Sequence, residues 1–229
     1  MLRKVINPHI ISVKQKCEDY SLMAETPELV VPARRTPQQQ RSRERVERIL
    51  NAAKGLIERS GSDAMKMGEL AVEAEISIGS LYQYFPDKAA VIGALAERYN
   101  EEGRACIRDG LVGVDDASGF RRAFGELIDI YYGLFLAEPV MRDIWSGTQA
   151  DKSLRGIDLA DSHENGALVG AVLERLHPGA DRAELLSRAT LVMYLGTATM
   201  RLAISVDRAE GDAYVANYKR MALAELLAE

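Results

Sequence analysis

In this 229-residue chain, the residue types that could do chemistry at a useful spacing fall in one run: Ile78-Gly79-Ser80-Leu81-Tyr82-Gln83-Tyr84-Phe85-Pro86-Asp87-Lys88. The chemistry they offer is recognition, not bond-making. The amide of Gln83 can pair with both N6 and N7 of an adenine edge. Tyr82 and Tyr84 can reach phosphates or a thymine methyl, and Ser80 is a small polar contact. Gly79 lets a backbone approach closely. Lys88, opening the next helix, would hold a phosphate beside the free N–H groups there. Leu81 and Phe85 lie four apart and share one helix face. They can seat the helix while Gly79, Ser80, Tyr82, Gln83 and Tyr84 look outward, and Pro86 stops it. Such a helix suits a DNA groove.

The flanking residues supply what would position it. From Met67 to Ser77 the chain gives a short helix and a tight turn, with Leu70, Ala71 and Ala74 on its inner face. Ser77 is placed to cap the next helix through its side-chain oxygen. Two short helices so joined form a helix-turn-helix. Before them, about residues 41 to 60 read as an amphipathic helix with Val46, Ile49, Leu50, Ala53, Leu56 and Ile57 on its apolar face. Gly61 ends it. Arg34, Arg35, Arg41, Arg43, Arg45 and Arg48 cluster before and within that helix, only partly offset by Glu44 and Glu47. A basic arm of this kind can follow phosphates or enter a minor groove.

At Ile49-Leu50-Asn51-Ala52-Ala53, Leu70-Ala71, Ala74, Ser77, Gly79, Leu81-Tyr82, Tyr84-Phe85 and Lys88 the chain resembles the TetR/AcrR family of bacterial transcriptional repressors. The resemblance covers about residues 43 to 100. It implies that Gly79, Tyr82, Tyr84 and Lys88 face DNA, and that Ile78, Ser80 and Gln83 sit where members vary with operator sequence. Arg43, Lys66 and Ser77 complete the expected DNA-binding set. Two places depart from the family pattern. Met65 and Lys66 stand where small hydroxyl residues are usual, and Lys66 is a poor N-cap. Glu75 stands where the turn usually carries glycine, which reaches positive φ most cheaply. It also brings a negative charge to the DNA side.

Composition sets the broader frame. The net charge of −5 does not by itself mark a DNA binder, so the local arginine cluster matters more. Hydrophobic residues make up 47% and aromatics only 6%, with Ala and Leu prominent, which predicts an all-α chain. Apolar runs are too short for a membrane span, and Met1 to Tyr20 do not read as a secretory signal. Cys17 and Cys106 are too few and too far apart for a disulfide framework. A cytoplasmic protein is expected. Residues 1–40, broken by Pro8, Pro27, Pro32 and Pro37, are predicted to be an extension without fixed structure, and Met23 is a plausible natural start. Residues 41–86 then form the helix-turn-helix domain and 87–229 a larger helical domain. Asp87 caps a fourth helix to about Leu111, with Val91, Leu95 and Tyr99 on one face, placed as a lever between the two. Further helices are predicted at 118–136, 138–146, about 149–176, 181–206 and 210–228, with breaks at Asp115-Asp116, Glu138-Pro139, His177-Pro178-Gly179 and Glu210-Gly211.

The larger domain carries two weaker signals. Phe124, Ile128, Tyr131 and Tyr132 share one helix and Trp145 follows on the next. Aromatics at helical spacing more often build a core than a pocket. The family resemblance implies a cavity among these helices, which these five residues would line with Met193 and polar contacts from Asn165 and Thr197. Such a wall favours a largely apolar small molecule. The helix at 181–206 is apolar nearly all round, so it must be buried on both sides. The resemblance implies that the last two long helices pair with their twins in a homodimer, through Leu185, Val192, Gly196, Thr199, Leu202, Tyr218 and Leu226.

An enzyme is disfavoured. His9, His163 and His177 have no partner at metal-ligand spacing, and His163-Glu164 beside Asp158 and Asp161 reads as a polar helix face. There is no glycine-rich phosphate loop and no G-x-S-x-G. No catalytic residue, metal or cofactor is therefore expected. The reading is a homodimeric repressor, released from a palindromic double-stranded DNA operator by a small-molecule effector, with no membrane partner. The alternatives are an activator on the same fold and a helical dimeric interaction module without operator binding. Met65, Lys66 and Glu75 favour that module.

Overall fold

The computed structural model describes residues 37–147 and 152–228. The predicted extension up to residue 36, with Met23, Arg34, Arg35, Cys17 and His9, lies outside the described residues. Within them the chain is all-helical. The helices are α1 (Pro37–Ser60), α2 (Met67–Glu73), α3 (Ile78–Tyr84), α4 (Lys88–Gly110), α5 (Ala117–Ala137), α6 (Pro139–Gly147), α7 (Lys152–Leu176), α8 (Arg182–Ala203) and α9 (Arg208–Leu226). The first helix begins earlier than its apolar pattern suggests. Proline suits a first helical position, where its missing N–H would lack a partner anyway.

Short polar residues set the other starts. Asp87, Asp116, Asp181 and Asp207 each accept a backbone N–H from the first turn they cap, and Ser77 does the same for α3. Lys66 does not: it precedes α2 in an extended conformation without a side-chain cap bond. Met65, the other departure, is buried in the core, so its side chain fills space where a hydroxyl would not.

The predicted break at Glu210-Gly211 is corrected. The chain turns between Ala203 and Arg208, and Gly211 lies inside α9. A Cβ there would sit 2.4 Å from the carbonyl oxygen of Ala203. That glycine serves close approach of two helices, not a bend.

α1, α2 and α3 pack through Ile49, Ala53, Leu70, Leu81 and Phe85, all buried. α4 joins this head to a body built from α5 to α9, and it packs on both. In the body α7 and α8 run closest together. A Cβ on Gly166 would lie 2.7 Å from Cα of Thr190.

Glu75 adopts φ 56 in the turn between α2 and α3. A side chain in that left-handed region is strained, and glycine would not be. Glu75→Gly should raise the unfolding free energy by about 0.5–1 kcal/mol after glycine's own entropic cost. Urea unfolding of both proteins checks this. An unchanged or lower midpoint would mean that Glu75 makes compensating contacts.

Candidate nucleic-acid interface and ligand cavity

α3 is seated as its pattern predicts. Leu81 is fully buried and Phe85 nearly so, while Tyr82 is 50% and Ile78 44% exposed. Gly79 and Gln83 are exposed beside them, and a Cβ on Gly79 would meet nothing within 4 Å. Ser77 and Ser80 are partly spent on the helix itself. The Ser80 N–H donates to Ser77 Oγ at 3.2 Å, and the two hydroxyls lie 2.9 Å apart. Tyr84 is only half-outward, since it packs against the core. The free outer row is therefore Ile78, Gly79, Tyr82 and Gln83.

Lys88 has a role that its sequence position did not reveal. Its Nζ donates to the carbonyls of Ser62 and Asp63 at 3.2 and 3.0 Å. It braces the α1–α2 loop, and an ammonium has one further donor. Arg43, with Arg41, Arg45 and Arg48, is exposed along α1. Lys66 is exposed near Glu69, at 3.7 Å.

Four further polar contacts tie this head to α4 and the body. Lys54 of α1 pairs with Glu138 at 2.8 Å. Arg98 of α4 reaches Glu47 at 3.2 Å and Asn51 at 2.9 Å. The Ser62 N–H donates to Asp143 Oδ2 of α6 at 2.8 Å. The sequence reading gave the lever role to α4 alone. α6 was missed, although Asp143 lies between Met141 and Trp145 and must point away from their shared face.

Met141 and Trp145 line a cavity that is partly open to solvent. Phe124, Ile128, Tyr131, Trp145, Asn165, Met193 and Thr197 line it as expected. Tyr132 does not. Tyr132 stands about 100° round the helix from Tyr131, on the side away from the cavity. Tyr132 packs instead under Arg208, whose guanidinium carbon is 5.5 Å from the ring centre. Tyr99, Asn100 and Cys106 of α4 also line the cavity and were not anticipated as wall. The apolar face of α4 was the available signal.

One part of the wall is polar. The Tyr131 hydroxyl lies 3.3 Å from Thr197 Oγ1. Asn165 Nδ2 donates to Asp161 Oδ2 at 2.7 Å, and Asn165 Oδ1 is buried without a hydrogen-bond partner. The other Asp161 oxygen accepts from Arg104 of α4 at 2.7 Å. Arg104 also meets Glu164 at 3.0 Å and Glu101 at 2.9 Å. Asp158 pairs with Arg201 at 3.1 Å. The acids at 158, 161 and 164 are thus each tied to an arginine. Burial pushes the Asp161 carboxyl up to about 6, against the opposing pull of Arg104 and Asn165. Burial likewise drives Tyr131 and Tyr218 well above the usual phenol range.

Most of the expected dimer contacts are internal. Leu185, Val192, Gly196, Tyr218 and Leu226 are buried within the single subunit. Tyr218 donates to the Val192 carbonyl at 2.7 Å, and a Cβ on Gly196 would meet its hydroxyl at 2.8 Å. The buried side of α8 was read as its free side because both are apolar. Leu202 is half-exposed, and Thr199, partly exposed, donates its hydroxyl to the Leu195 carbonyl at 2.7 Å. With Leu202, the exposed large apolar side chains of these two helices are Leu186, Leu191, Tyr194 and Leu195 on α8 and Met221 on α9. No helix among the described residues is long and apolar enough to cross a membrane.

Comparison with known proteins bears on both parts. Residues 49–95 match the family model of bacterial regulatory proteins, tetR family, and residues 118–229 match the tetracyclin repressor-like C-terminal domain. The HTH-type transcriptional repressor KstR of Rhodococcus jostii is 38% identical over 66 residues, 27% of this chain and 31% of that protein. KstR of Mycobacterium tuberculosis is 32% identical over 81 residues, 35% and 36% of the two chains. The chain thus spans about a third of the length of the curated relatives it matches. A TetR-family transcriptional regulator from Streptomyces coelicolor shares the fold with a TM-score of 0.61 and 24% identity, over 81% of this chain and 97% of that one.

The raised Asp161 carboxyl makes stability depend on pH. The folded state binds this proton more tightly than the unfolded chain does. The ionised carboxylate therefore weakens the fold above about pH 6, and the penalty fades as pH falls towards the unfolded value. Asp161→Asn should be more stable than the parent at pH 7.5, by on the order of 1–3 kcal/mol. Its advantage should shrink steadily towards pH 4.5. Denaturant unfolding at the two pH values tests the sign; an advantage that is absent or independent of pH counts against the assignment.

Proposed function

The chain belongs to the TetR family of bacterial regulatory proteins, and from that premise we propose that it is a DNA-binding transcriptional regulator controlled by a small molecule. The observation that carries the DNA reading is the outer row of α3. Ile78, Gly79, Tyr82 and Gln83 stand free on a helix whose other face is fixed by Leu81 and Phe85. Gln83 reads a base edge, Tyr82 and Tyr84 meet phosphate or a thymine methyl, and Ile78 and Ser80 tune the sequence. Arg43 and Lys66 hold the backbone, with the spare donor of Lys88. Such a protein works in the cytoplasm, with the DNA.

Two copies bind together. Leu191, Leu195 and Leu202 recur at intervals of four and seven on α8, beside Met221 of α9, and a second copy covers them. Two-fold symmetry then calls for a palindromic operator. Repression is the sign that the likeness to the KstR repressors supports. The cavity takes the effector. Its occupation shifts the population of head positions through α4 and α6, which both touch cavity and head. The sequence boundary at residue 87 then divides reader from sensor.

Selection from a random duplex DNA pool at stated salt should enrich a palindrome. Gln83→Ala should still bind DNA but lose about 1–3 kcal/mol of preference at one base pair in each half-site. Failure of the folded parent protein to enrich any sequence would defeat the operator reading. An unchanged profile for Gln83→Ala would defeat only the direct contact.

A further inference from the structure

The cavity wall is chemically one-sided. Among the described residues that line it there is no lysine, arginine or histidine, and there is one carboxylate, Asp161. The nearest cation to that carboxylate, Arg104, is shared among Glu101, Asp161 and Glu164. It has no net positive charge to offer a newcomer. Arg201 is engaged with Asp158 in the same way.

Asn165 adds a second bias. It is 9% exposed, and its orientation is dictated by Asp161: only the Nδ2 end can face a carboxylate. That leaves Oδ1 buried and without a partner at the cavity wall. An unmet buried acceptor is costly, and a donor that reaches it recovers the loss. Tyr131 and Thr197, close by, can each accept as well as donate. Phe124, Ile128, Met141, Trp145 and Met193 make the rest of the wall apolar.

We infer that the cavity takes a largely apolar molecule with a hydrogen-bond-donating head, a hydroxyl or an amine, received by Asn165 Oδ1 and Asp161, and that it rejects the matching carboxylate. This rests on the reading of the cavity as the effector site. A carboxylate would be desolvated against Asp161 with no free cation to meet it. An alcohol or ammonium would find acceptors already in place.

Trp145 is the sole tryptophan and it lines the cavity, so its fluorescence reports occupation. The probes are decan-1-ol, kept below its solubility limit, and decylamine and decanoate, kept below their micelle concentrations, all at pH 7.5. Decan-1-ol and decylamine should give saturable changes, with decanoate at least about tenfold weaker. Asn165→Leu, with its fold checked by circular dichroism, should weaken decan-1-ol by about tenfold and leave decanoate where it was. Decanoate binding as well as the alcohol would overturn the head-group inference while leaving the cavity reading intact. No saturation by any of the three on the folded parent protein would overturn both. The comparison on the parent protein decides even if Asn165→Leu does not fold.

Discussion

Arg104 must keep its charge in a place with little access to water, and the arrangement of the body follows from how that is done. Its side chain is 13% exposed and that of Asp161 15%. Two charges so placed lose much of their hydration, so each must be met closely by the other. Three carboxylates surround the one guanidinium, two from α7 and one from the preceding turn of α4. Asp161 bears most of the cost of burial in this cluster, while Glu101 and Glu164 keep Arg104 paired even when Asp161 is protonated. α4 is therefore fixed against α7 at the level of the cavity wall. Further towards its start, the same helix meets α1 through Arg98. One helix is thus paired with the head through Arg98 and with the body through Arg104.

This explains why the polar part of the cavity sits where it does. Asp161 gives one oxygen to the lever and the other to Asn165. A group that bonds Asn165 or Asp161 would change the electrostatics felt by Arg104, beside whatever contacts it makes with Tyr99, Asn100 and Cys106 of α4. Coupling free energies of about 1–3 kcal/mol between sites are ordinary, and one charge-assisted hydrogen bond is of that size. α6 offers a parallel route. Trp145 and Met141 feel the occupant, and Asp143 holds the Ser62 amide of the α1–α2 loop that Lys88 also braces. Two contacts to one loop make its position sensitive to both helices.

The head was readable because each of its devices is local. Ser77 and Asp87 cap as their types predict, Leu81 and Phe85 seat α3 at four-residue spacing, and Glu75 does take the positive φ that the turn demands. The body was readable in outline only. Its helices are apolar on more than one face, and periodicity then says that a residue is buried but not against what. That is how Tyr132 was exchanged for the wall and Gly196 and Tyr218 for the surface. Gly211 misled for a related reason. Glycine marks a break or a close crossing with equal clarity in sequence, and only the backbone of Ala203 beside it decides. The clamp around Arg104 joins residues 57 and 60 positions apart, a pairing no local pattern carries.

α8 shows what such flattened amphipathicity is for. Met193, Thr197 and Met200 face the cavity, Leu185 and Ala189 face the internal core, and Leu191, Leu195 and Leu202 face outward. Three environments divide the circumference of one helix, and its charged residues stand towards its ends, Arg182, Glu184 and Arg188 at one and Arg201 at the other, so no continuous polar face betrays its orientation. The division has a mechanical consequence. Met193 lies between Leu191 and Leu195 in the chain, so an occupant large enough to shift the backbone at Met193 would shift the outward row as well. If a second copy rests on that row, the angle between subunits and the state of the cavity are not independent variables. Under the proposed reading, α4 and α8 both line the one chamber, so a small molecule bound there would act on head spacing through both.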